Sequence, residues 1–494
     1  MEGESTALAI YHLTATIISR ARGQSVVAAA AYRSGLALRD ERYGVTHYQS
    51  RKRRILHSEI MAPAGAPAWV HDREMLWNRV EAAESRKDSQ LARLIEVSLP
   101  VELPQDACRD LMREFIAKAF IAKGMIADFC IRGDEHNPQA HIMLTLRGVT
   151  ATGFGPKERR WNGKATLLEW RTSWAAQVNE HLARAGHAVR IDHRTLAAQH
   201  IELIPGRRVG VRRPRQGSPS LPSHLQERIA EQKRIAQENG AAILEDPAVA
   251  LRAVALQRPT FTLDDVARFL RSRTDGPEQF DAAFLAVSSS AEIVALDADA
   301  GREGRFTSRD MLEAAKSLRQ RTMSMAGRRG HGVAPERQSL AVQPSLTDEQ
   351  RRAYQYLVGD GDAKALVLSD DDKAVILDAA RRAWEAQGFE IAGAAPSAGA
   401  ASGLEASSGI KSRPVAGWEE VWQQGRDTLD RQSVLLIDGA ETLGLKQLER
   451  MMAHADKARA KVGLIGNAGR IEVMKVETPF SDVLTRIGSP LAAP

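Results

Sequence analysis

The sequence predicts an α+β domain, then a helical region, then an α/β domain. Strand-like and helix-like patterns alternate over residues 1–205, and helical periodicity dominates residues 223–328. Short apolar strands then alternate with helices towards the end of the chain. Since 494 residues are too many for a single hydrophobic core, we expect separate domains and linkers. The expected segments are 1–205, 206–222, 223–328, 329–345 and 346–494.

The N-terminal domain is expected to be an antiparallel sheet covered by helices. Ser25 has the side chain to cap an alanine-rich helix that carries Tyr32. Strand patterns separated by polar turns, and two amphipathic helical patterns, make up the rest of the domain. The strands are expected at 7–16, 94–99, 125–131 and 141–146, and the helices at about 104–122 and 165–185.

The C-terminal domain is expected to contain a parallel sheet. Its apolar strands are separated by helices, which is the pattern of strands joined by helical crossovers. The strands are expected at 365–368, 434–437 and 462–465, and the helices at 373–387, 417–427 and 445–460. Segment 206–222 is rich in Pro, Arg, Gly and Ser, as linkers are.

Composition indicates a cytoplasmic protein without membrane insertion. The chain is 43% hydrophobic and 26% charged, and no stretch reaches the ~20 apolar residues that cross a bilayer. The N-terminus has acidic residues where a secretory signal has basic ones. Two cysteines are too few for a disulfide framework or a cysteine zinc site.

The basic residues predict a polyanionic partner. Lysine and arginine exceed aspartate and glutamate by 68 to 62, and the isoelectric point is near 9.3. Two clusters are dense enough to neutralise several phosphates each, although a solvated basic loop is the alternative for either. They are Arg51, Lys52, Arg53 and Arg54, and a run that begins with Arg207 and Arg208.

Tyr32 and the segment before His141 are the candidate chemical groups of the N-terminal domain. A tyrosine on a helix of small residues can serve as a nucleophile, or it can be a half-buried core residue. Residues 134–141 offer several metal-capable groups, and Gln139 and His141 project to one side of a strand. A solvated turn beside one hydrogen-bonded histidine is the alternative.

Four short segments of the N-terminal domain form a recognisable pattern. They are Ala9-Ile10-Tyr11-His12-Leu13-Thr14, Gln24-Ser25 with Ala31-Tyr32-Arg33, Asn137-Pro138 with Ala140-His141, and Ile191-Asp192-His193-Arg194. Together they resemble the MobA/MobL relaxases, in particular their TraA-like branch, over about residues 7–205. The resemblance implies a palm-like domain that binds single-stranded plasmid DNA at a transfer origin during conjugation or mobilisation.

The resemblance also implies a role for Tyr32. In this family the helix tyrosine attacks a phosphodiester, and this endonuclease step leaves a 5′-phosphotyrosyl link and a free 3′-hydroxyl. Tyr32 occupies that position. The implied partners besides DNA are relaxosome proteins and type IV secretion coupling proteins.

The family normally holds a divalent metal with three histidines, two in a His-x-His strand and one near the end of the preceding strand. Here His141 remains, Gln139 replaces the first of the pair, and the preceding strand ends with Arg132. The resemblance therefore implies a weakened Mn²⁺ or Mg²⁺ site of His141, Gln139 and His136, since hard cations accept oxygen ligands. Arg132 is expected to contact DNA phosphate instead.

The C-terminal domain begins with Leu-Thr-Asp-Glu-Gln at 346–350 and resembles the first RecA-like lobe of the helicase region fused to such relaxases. A phosphate loop needs glycines, a lysine and a hydroxyl, whereas residues 367–374 keep only Lys373. The metal-type Asp438 is followed by Gly439, where the family has glutamate. The given sequence also stops before a second lobe. We therefore expect a degenerate helicase lobe that binds no ATP.

Two functions remain open from the sequence. The first is a relaxase that binds single-stranded DNA at a transfer origin and nicks it. The alternative is a catalytically decayed DNA-binding or relaxosome accessory protein, because the metal and ATP motifs are altered together. An adduct between DNA and Tyr32 would separate the two.

Overall fold

The computed structural model describes most of the chain. The described residues are 11–48, 55–133, 138–150, 153–187, 189–199, 201–206, 223–296, 304–334, 338, 346–426, 429–473 and 478–487. Among these residues, no helix is both long enough and apolar enough to cross a membrane.

An antiparallel sheet forms the centre of the N-terminal domain, as the sequence predicts. Within the described residues it has five strands in the order β1-β5-β7-β6-β4, and each neighbouring pair is antiparallel. Two small hairpins, β2-β3 and β8-β9, lie outside it. The strands are β1 (Leu13–Ser19), β2 (Leu38–Asp40), β3 (Val45–His47), β4 (Ile55–Met61), β5 (Gln90–Ser98), β6 (Ala127–Arg132), β7 (Gln139–Thr145), β8 (Arg147–Thr150) and β9 (Gly153–Lys157).

Helices cover both faces of this sheet. On one face, α3 and α4 pack on the apolar side chains of alternate strand positions, including Ile95, Phe129 and Ile142. On the other face, α1 and α2 pack beside Leu94 and Met143. The helices are α1 (Val26–Ser34), α2 (Arg73–Ala82), α3 (Gln105–Ala119) and α4 (Lys164–Arg184).

Local sequence signals fix α1. The Ser25 side chain caps it by accepting from the Ala28 N–H at 3.1 Å, as predicted. Gly35 ends the helix with a φ of 76°, a left-handed conformation that a residue with a side chain rarely adopts. Glu81 of α2 accepts from the Val26 N–H at 3.2 Å and so ties the start of α1 to its neighbour.

The middle region is mainly helical. Its helices enclose a separate apolar cluster that includes Val254, Phe261 and Leu270. A short hairpin of β10 (Ile293–Ala295) and β11 (Phe306–Ser308) interrupts them. The helices are α5 (Ser223–Glu245), α6 (Pro247–Gln257), α7 (Leu263–Arg271), α8 (Gly276–Ser288) and α9 (Arg309–Ala326).

The C-terminal domain contains a parallel sheet, which confirms the predicted α/β class. Its order is β12-β16-β15-β13-β14, and every described pair is parallel. The strands are β12 (Ala363–Leu368), β13 (Glu390–Ala395), β14 (Ser412–Pro414), β15 (Ser433–Asp438) and β16 (Lys461–Asn467). The helices are α10 (Asp348–Val358), α11 (Asp370–Glu385), α12 (Ala398–Ser408), α13 (Val415–Gln423), α14 (Leu445–Ala458), α15 (Ala468–Val473) and α16 (Pro479–Ile487).

Helix α9 joins the middle region to the C-terminal domain. Its Leu318 and Met325 lie in the core of the C-terminal sheet. Arg321 donates to Asp456 of α14 at 2.7 Å. The packing of α9 is therefore shared between two of the expected segments, and the segment boundaries remain predictions.

Candidate functional site

Tyr32 lies at the exposed end of α1. Its side chain is 43% exposed, so it is not a core tyrosine. The Arg132 guanidinium at the end of β6 donates to the Tyr32 carbonyl oxygen at 3.0 Å, and its carbon lies 5.0 Å from the Tyr32 ring centroid. The helix that carries the phenol is thus attached to the end of the strand that carries Arg132.

The strand register places the other predicted groups on the same face. Gln139 lies opposite Arg132, and His141 lies opposite Cys130, two residues before Arg132 on the same side of β6. Because α1 covers this face, the candidate side chains lie together on the α1 side of the sheet. They are Tyr32, Arg132, Gln139 and His141. His136, the third predicted metal ligand, lies outside the described residues.

Glu96 is a site residue that sequence reasoning missed. It pairs with His141 in the sheet register, and its Oε1 lies 3.1 Å from His141 Nδ1. Nδ1 is buried, and the Glu96 carboxylate is the acidic group that it contacts. The His141 imidazole holds the pKa of Glu96 below its usual value despite partial burial. Since Nδ1 contacts Glu96, Nε2 is the imidazole nitrogen that would contact a ligand.

Arg132 is a buried cation without a carboxylate partner among the described residues. Its side chain is only 4% exposed, and both Nε and Nη1 are buried without a hydrogen-bond acceptor in that part of the chain. A buried N–H group that lacks an acceptor costs free energy. An incoming anion would supply the missing acceptors.

Arg33 adds a second guanidinium beside Tyr32. Its carbon lies 6.0 Å from the Tyr32 ring centroid, and burial lowers its pKa, an effect that the nearby Glu96 carboxylate opposes. The phenol is therefore flanked by two cations, which favours the approach of a phosphate.

The described donors do not form a complete metal site. Among the described residues, no three His, Cys, Asp or Glu side chains lie together as metal ligands. His141 and Gln139 are two possible donors, but Arg132 stands directly opposite Gln139 and its positive charge opposes a divalent cation there. The positive charge beside Tyr32 that would attract a phosphate comes from Arg132 and Arg33.

The predicted DNA-binding clusters at Arg51–54 and Arg207–208 lie outside the described residues. Ile55, which follows the first cluster in the sequence, begins β4 and pairs with Arg132. The first cluster therefore precedes, in the chain, a strand that adjoins the Tyr32 site.

In the C-terminal domain, Lys373 and Asp438 contact each other. Lys373 Nζ lies 3.2 Å from both Asp438 carboxylate oxygens and 3.2 Å from Asp370 Oδ1. Asp370 also accepts from Asn467 at 2.9 Å. Carboxylates thus surround the one lysine that a nucleotide phosphate would need.

Two family models match the chain. A model described as the MobA/MobL family matches residues 24–217, and a model described as an AAA domain matches residues 345–489. The first range contains Tyr32, Arg132 and His141, and the second contains Lys373 and Asp438.

Curated relatives match between about half and nearly all of the chain. The conjugal transfer protein TraA of Rhizobium radiobacter is 32% identical over 97% of this chain and 48% of its own length. The mobilization protein MobL of Acidithiobacillus ferridurans is 34% identical over 48% of this chain and 72% of its own length. The chain thus spans about half the length of the TraA relatives that it matches.

A solved structure described as "Molecular Basis of Vancomycin Resistance Transfer in Staphylococcus aureus" is also similar. It is 36% identical in sequence, with a TM-score of 0.37, and it covers 38% of this chain and 100% of its own. The MobL relative is more than 30% identical, and the match covers more than two thirds of it. On the relatives and the family model together, the chain belongs to the MobA/MobL family.

Proposed function

We propose that this chain is a plasmid-transfer relaxase that binds single-stranded DNA at a transfer origin and forms a covalent bond with it through Tyr32. The observation that carries the proposal is the exposed Tyr32 phenol beside the buried Arg132 guanidinium, which has no carboxylate partner among the described residues. Relatives named for conjugal transfer and mobilization support the assignment.

The proposed reaction is a transesterification. The Tyr32 oxygen attacks the phosphorus, a phosphorus–oxygen bond to tyrosine forms, and the bond to the 3′ oxygen breaks. The phenol proton ends on the departing 3′-hydroxyl, so no further reactant is consumed. The 5′-phosphotyrosyl link keeps the energy of the phosphodiester, which allows the strand to be resealed.

Arg132 provides the charge stabilisation in this proposal. The transition state gathers negative charge on the phosphoryl oxygens, and fixed donors stabilise it without reorganisation. The Nε and Nη1 groups of Arg132 have no acceptor among the described residues, and Gln139 and His141 add neighbouring polar groups. Within the described part of the chain, His141 and Gln139 are the donors that would hold a divalent cation, which would add positive charge at the phosphate.

DNA binding is proposed to extend beyond the phenol. The basic clusters Arg51–54 and Arg207–208 would follow the phosphate backbone, since each lysine or arginine releases counterions when it meets a phosphate. The residue after the first cluster pairs with Arg132, which supports this path. Relaxosome proteins and type IV secretion coupling proteins remain proposed partners in the cytoplasm.

The experiment is an adduct assay with the full chain and a labelled single-stranded oligonucleotide that carries its transfer origin. With Mn²⁺ or Mg²⁺, wild type is expected to form a protein–DNA adduct that resists denaturation, and Tyr32→Phe is expected to form none. Tyr48→Phe is the matched control, since Tyr48 is 79% exposed in the same domain. An adduct that persists in Tyr32→Phe would refute the assignment of the nucleophile.

A second candidate is a DNA-binding protein that does not cut. The incomplete set of metal donors among the described residues favours it. It predicts that wild type and Tyr32→Phe bind the oligonucleotide equally well and that neither forms an adduct. The same assay therefore decides between the two functions.

We further propose that the C-terminal lobe binds no nucleotide. The Lys373 ammonium, which would contact the phosphates of a nucleotide, already pairs with the Asp438 and Asp370 carboxylates. Both carboxylates would also repel a triphosphate. In this proposal the lobe has a structural role and does not drive ATP-dependent movement along DNA. DNA-stimulated ATP hydrolysis that is lost in Lys373→Ala would overturn this proposal.

A further inference from the structure

A cavity lies where the N-terminal domain, the middle helices and the C-terminal domain meet. Its volume is about 450 Å³. One wall is formed by α4 together with residues 190–196, 199 and 201–206, the second by α6 and α7, and the third by the segments that lead into α13 and α14. Since α4 covers the sheet face opposite α1, this cavity is separate from the Tyr32 site.

The charged lining of the cavity is mainly positive. Besides Asp192, its lining includes five arginine or lysine side chains, and three of these are neutralised. Arg194 contacts Asp192 and Glu419, Arg450 contacts Glu419, and Lys446 contacts Asp310. The remaining two cations are Arg190 and Arg273.

Arg190 and Arg273 have no carboxylate partner among the described residues. Arg190 donates only to the carbonyl oxygens of His187 and Val189, at 2.6 and 2.8 Å. Arg273 donates to the Ser272 hydroxyl at 2.6 Å, and its guanidinium lies 4.2 Å from the Phe269 ring centroid. Burial lowers the pKa of Arg190 to about 10 and also lowers that of Arg273. Two cations that burial desolvates thus line one cavity, and neither forms an ion pair within the part of the chain that the structure describes.

Two helices begin at the same cavity. The first residues of α13, Val415 and Ala416, and the first three of α14, 445–447, are part of its lining. Pro414 and Gly444 precede these helices, neither helix has a side-chain cap, and neither has an acidic residue in its first turn. The free backbone N–H groups at a helix start favour anions.

We propose that this cavity binds a phosphate group, with Arg190 and Arg273 as its cationic contacts and the starts of α13 and α14 as amide donors. A guanidinium and backbone amides together are the usual ligands of phosphate in proteins. The phosphate belongs either to a small free molecule or to the backbone of single-stranded DNA. The proposal does not depend on strand transfer at Tyr32.

The experiment measures the binding of two probes to the full chain, inorganic pyrophosphate and the oligonucleotide (dT)6, by calorimetry. The test variant is Arg190→Gln/Arg273→Gln, and the matched control is Arg234→Gln, which removes an exposed arginine of α5. For a phosphate-binding cavity, the test variant binds at least one probe about tenfold more weakly or worse, and the control binds as wild type does.

The two probes separate the two sources of phosphate. Loss of pyrophosphate binding in the test variant identifies a small free ligand, whereas loss confined to (dT)6 identifies the DNA backbone. Equal affinities of wild type and test variant for both probes, or no binding of either probe by wild type, overturn the proposal.

Stability provides an independent readout. Because neither arginine has a carboxylate partner among the described residues to offset its desolvation, the test variant is expected to melt no lower than wild type when no ligand is present. If the double variant fails to fold, the same binding measurement is made with the single variants Arg190→Gln and Arg273→Gln. Each is expected to have a lower affinity than wild type for the probe that wild type binds.

Discussion

Arg132 contacts Tyr32 twice, through a 3.0 Å hydrogen bond to its carbonyl oxygen and through its guanidinium 5.0 Å from the ring centroid. One side chain therefore fixes the end of α1 and also faces the place where a phosphate would meet the phenol. In the proposed reaction, the position of the nucleophile and the charge that stabilises the transition state would therefore depend on the same residue.

The first prediction concerns Arg132→Gln. Adduct formation at Tyr32 is expected to fall about 10- to 100-fold, because a charge-assisted hydrogen bond to phosphate is lost. The melting temperature is expected to change little, because removal of a buried cation that has no carboxylate partner among the described residues offsets the loss of its hydrogen bond to the Tyr32 carbonyl oxygen. Single-turnover adduct kinetics and a thermal melt measure both effects.

The control for this prediction is Arg86→Gln, which removes an arginine whose side chain is 79% exposed and which pairs with Asp88. It is expected to keep the wild-type rate. A wild-type rate in Arg132→Gln would show that Arg132 takes no part in the reaction.

The second prediction concerns pH and Glu96. The His141 imidazole lowers the pKa of Glu96 in the folded protein below its ordinary value of 4.5. A lowered pKa adds stability that is complete above the ordinary value and is lost as the pH falls through the folded pKa. Glu96→Gln is therefore expected to lose less stability than wild type on acidification below about pH 4.5.

Thermal melts between pH 3 and pH 7 measure this difference. Because the Glu96 side chain is 40% exposed, solvent screening limits the effect to about 1 kcal/mol or less. Parallel pH profiles for wild type and Glu96→Gln would contradict the His141 contact.

The comparison of sequence and structure is clearest around α1. Local signals at Ser25 and Gly35 determine where this helix begins and ends, so its presence is predictable from the sequence. The contact between Glu96 and His141 depends on the register of β5 against β7, a long-range pairing that no local signal specifies. An acidic residue between the apolar residues Ile95 and Val97 is the signal that could have marked Glu96.

In the C-terminal domain, too, local sequence patterns predict some elements and miss others. Apolar runs reveal β12, β15 and β16, which confirms those predicted strands. The strands β13 and β14 are missed, because one is rich in alanine and glycine and the other ends in proline, residues that are depleted in strands. The sequence also cannot show that Lys373 reaches Asp438, since 65 residues separate them.

The third prediction concerns Lys373→Met. Asp438 is 8% exposed and accepts from Lys373, so the variant leaves a buried carboxylate unpaired and is expected to be less stable by about 1–3 kcal/mol. Addition of MgATP is expected to shift the melting temperature of neither protein. Chemical denaturation and a thermal melt with MgATP give the two measurements.

Lys373→Met/Asp438→Asn serves as the companion variant. Since it removes both charges, it is expected to recover part of the lost stability. An ATP-dependent rise in the melting temperature of wild type would show that the lobe does bind nucleotide.

The fourth prediction concerns Glu419, which joins the N-terminal and C-terminal domains. Its carboxylate lies 3.1 Å from Arg194 and 2.5 Å from Arg450, and its side chain is 7% exposed. Glu419→Gln removes the charge that both arginines share, so unfolding is expected to become easier by about 1–3 kcal/mol. Limited proteolysis should also cut more readily between the domains, because Arg194 loses its contact with the C-terminal domain.

Glu420→Gln is the matched control, since Glu420 is the next residue of the same helix and is exposed. It is expected to match wild type in both assays. If Glu419→Gln unfolds and is digested as wild type is, then the contact between Arg194 and Glu419 does not hold the domains together, and the charge balance around the cavity would have to be assigned to other residues.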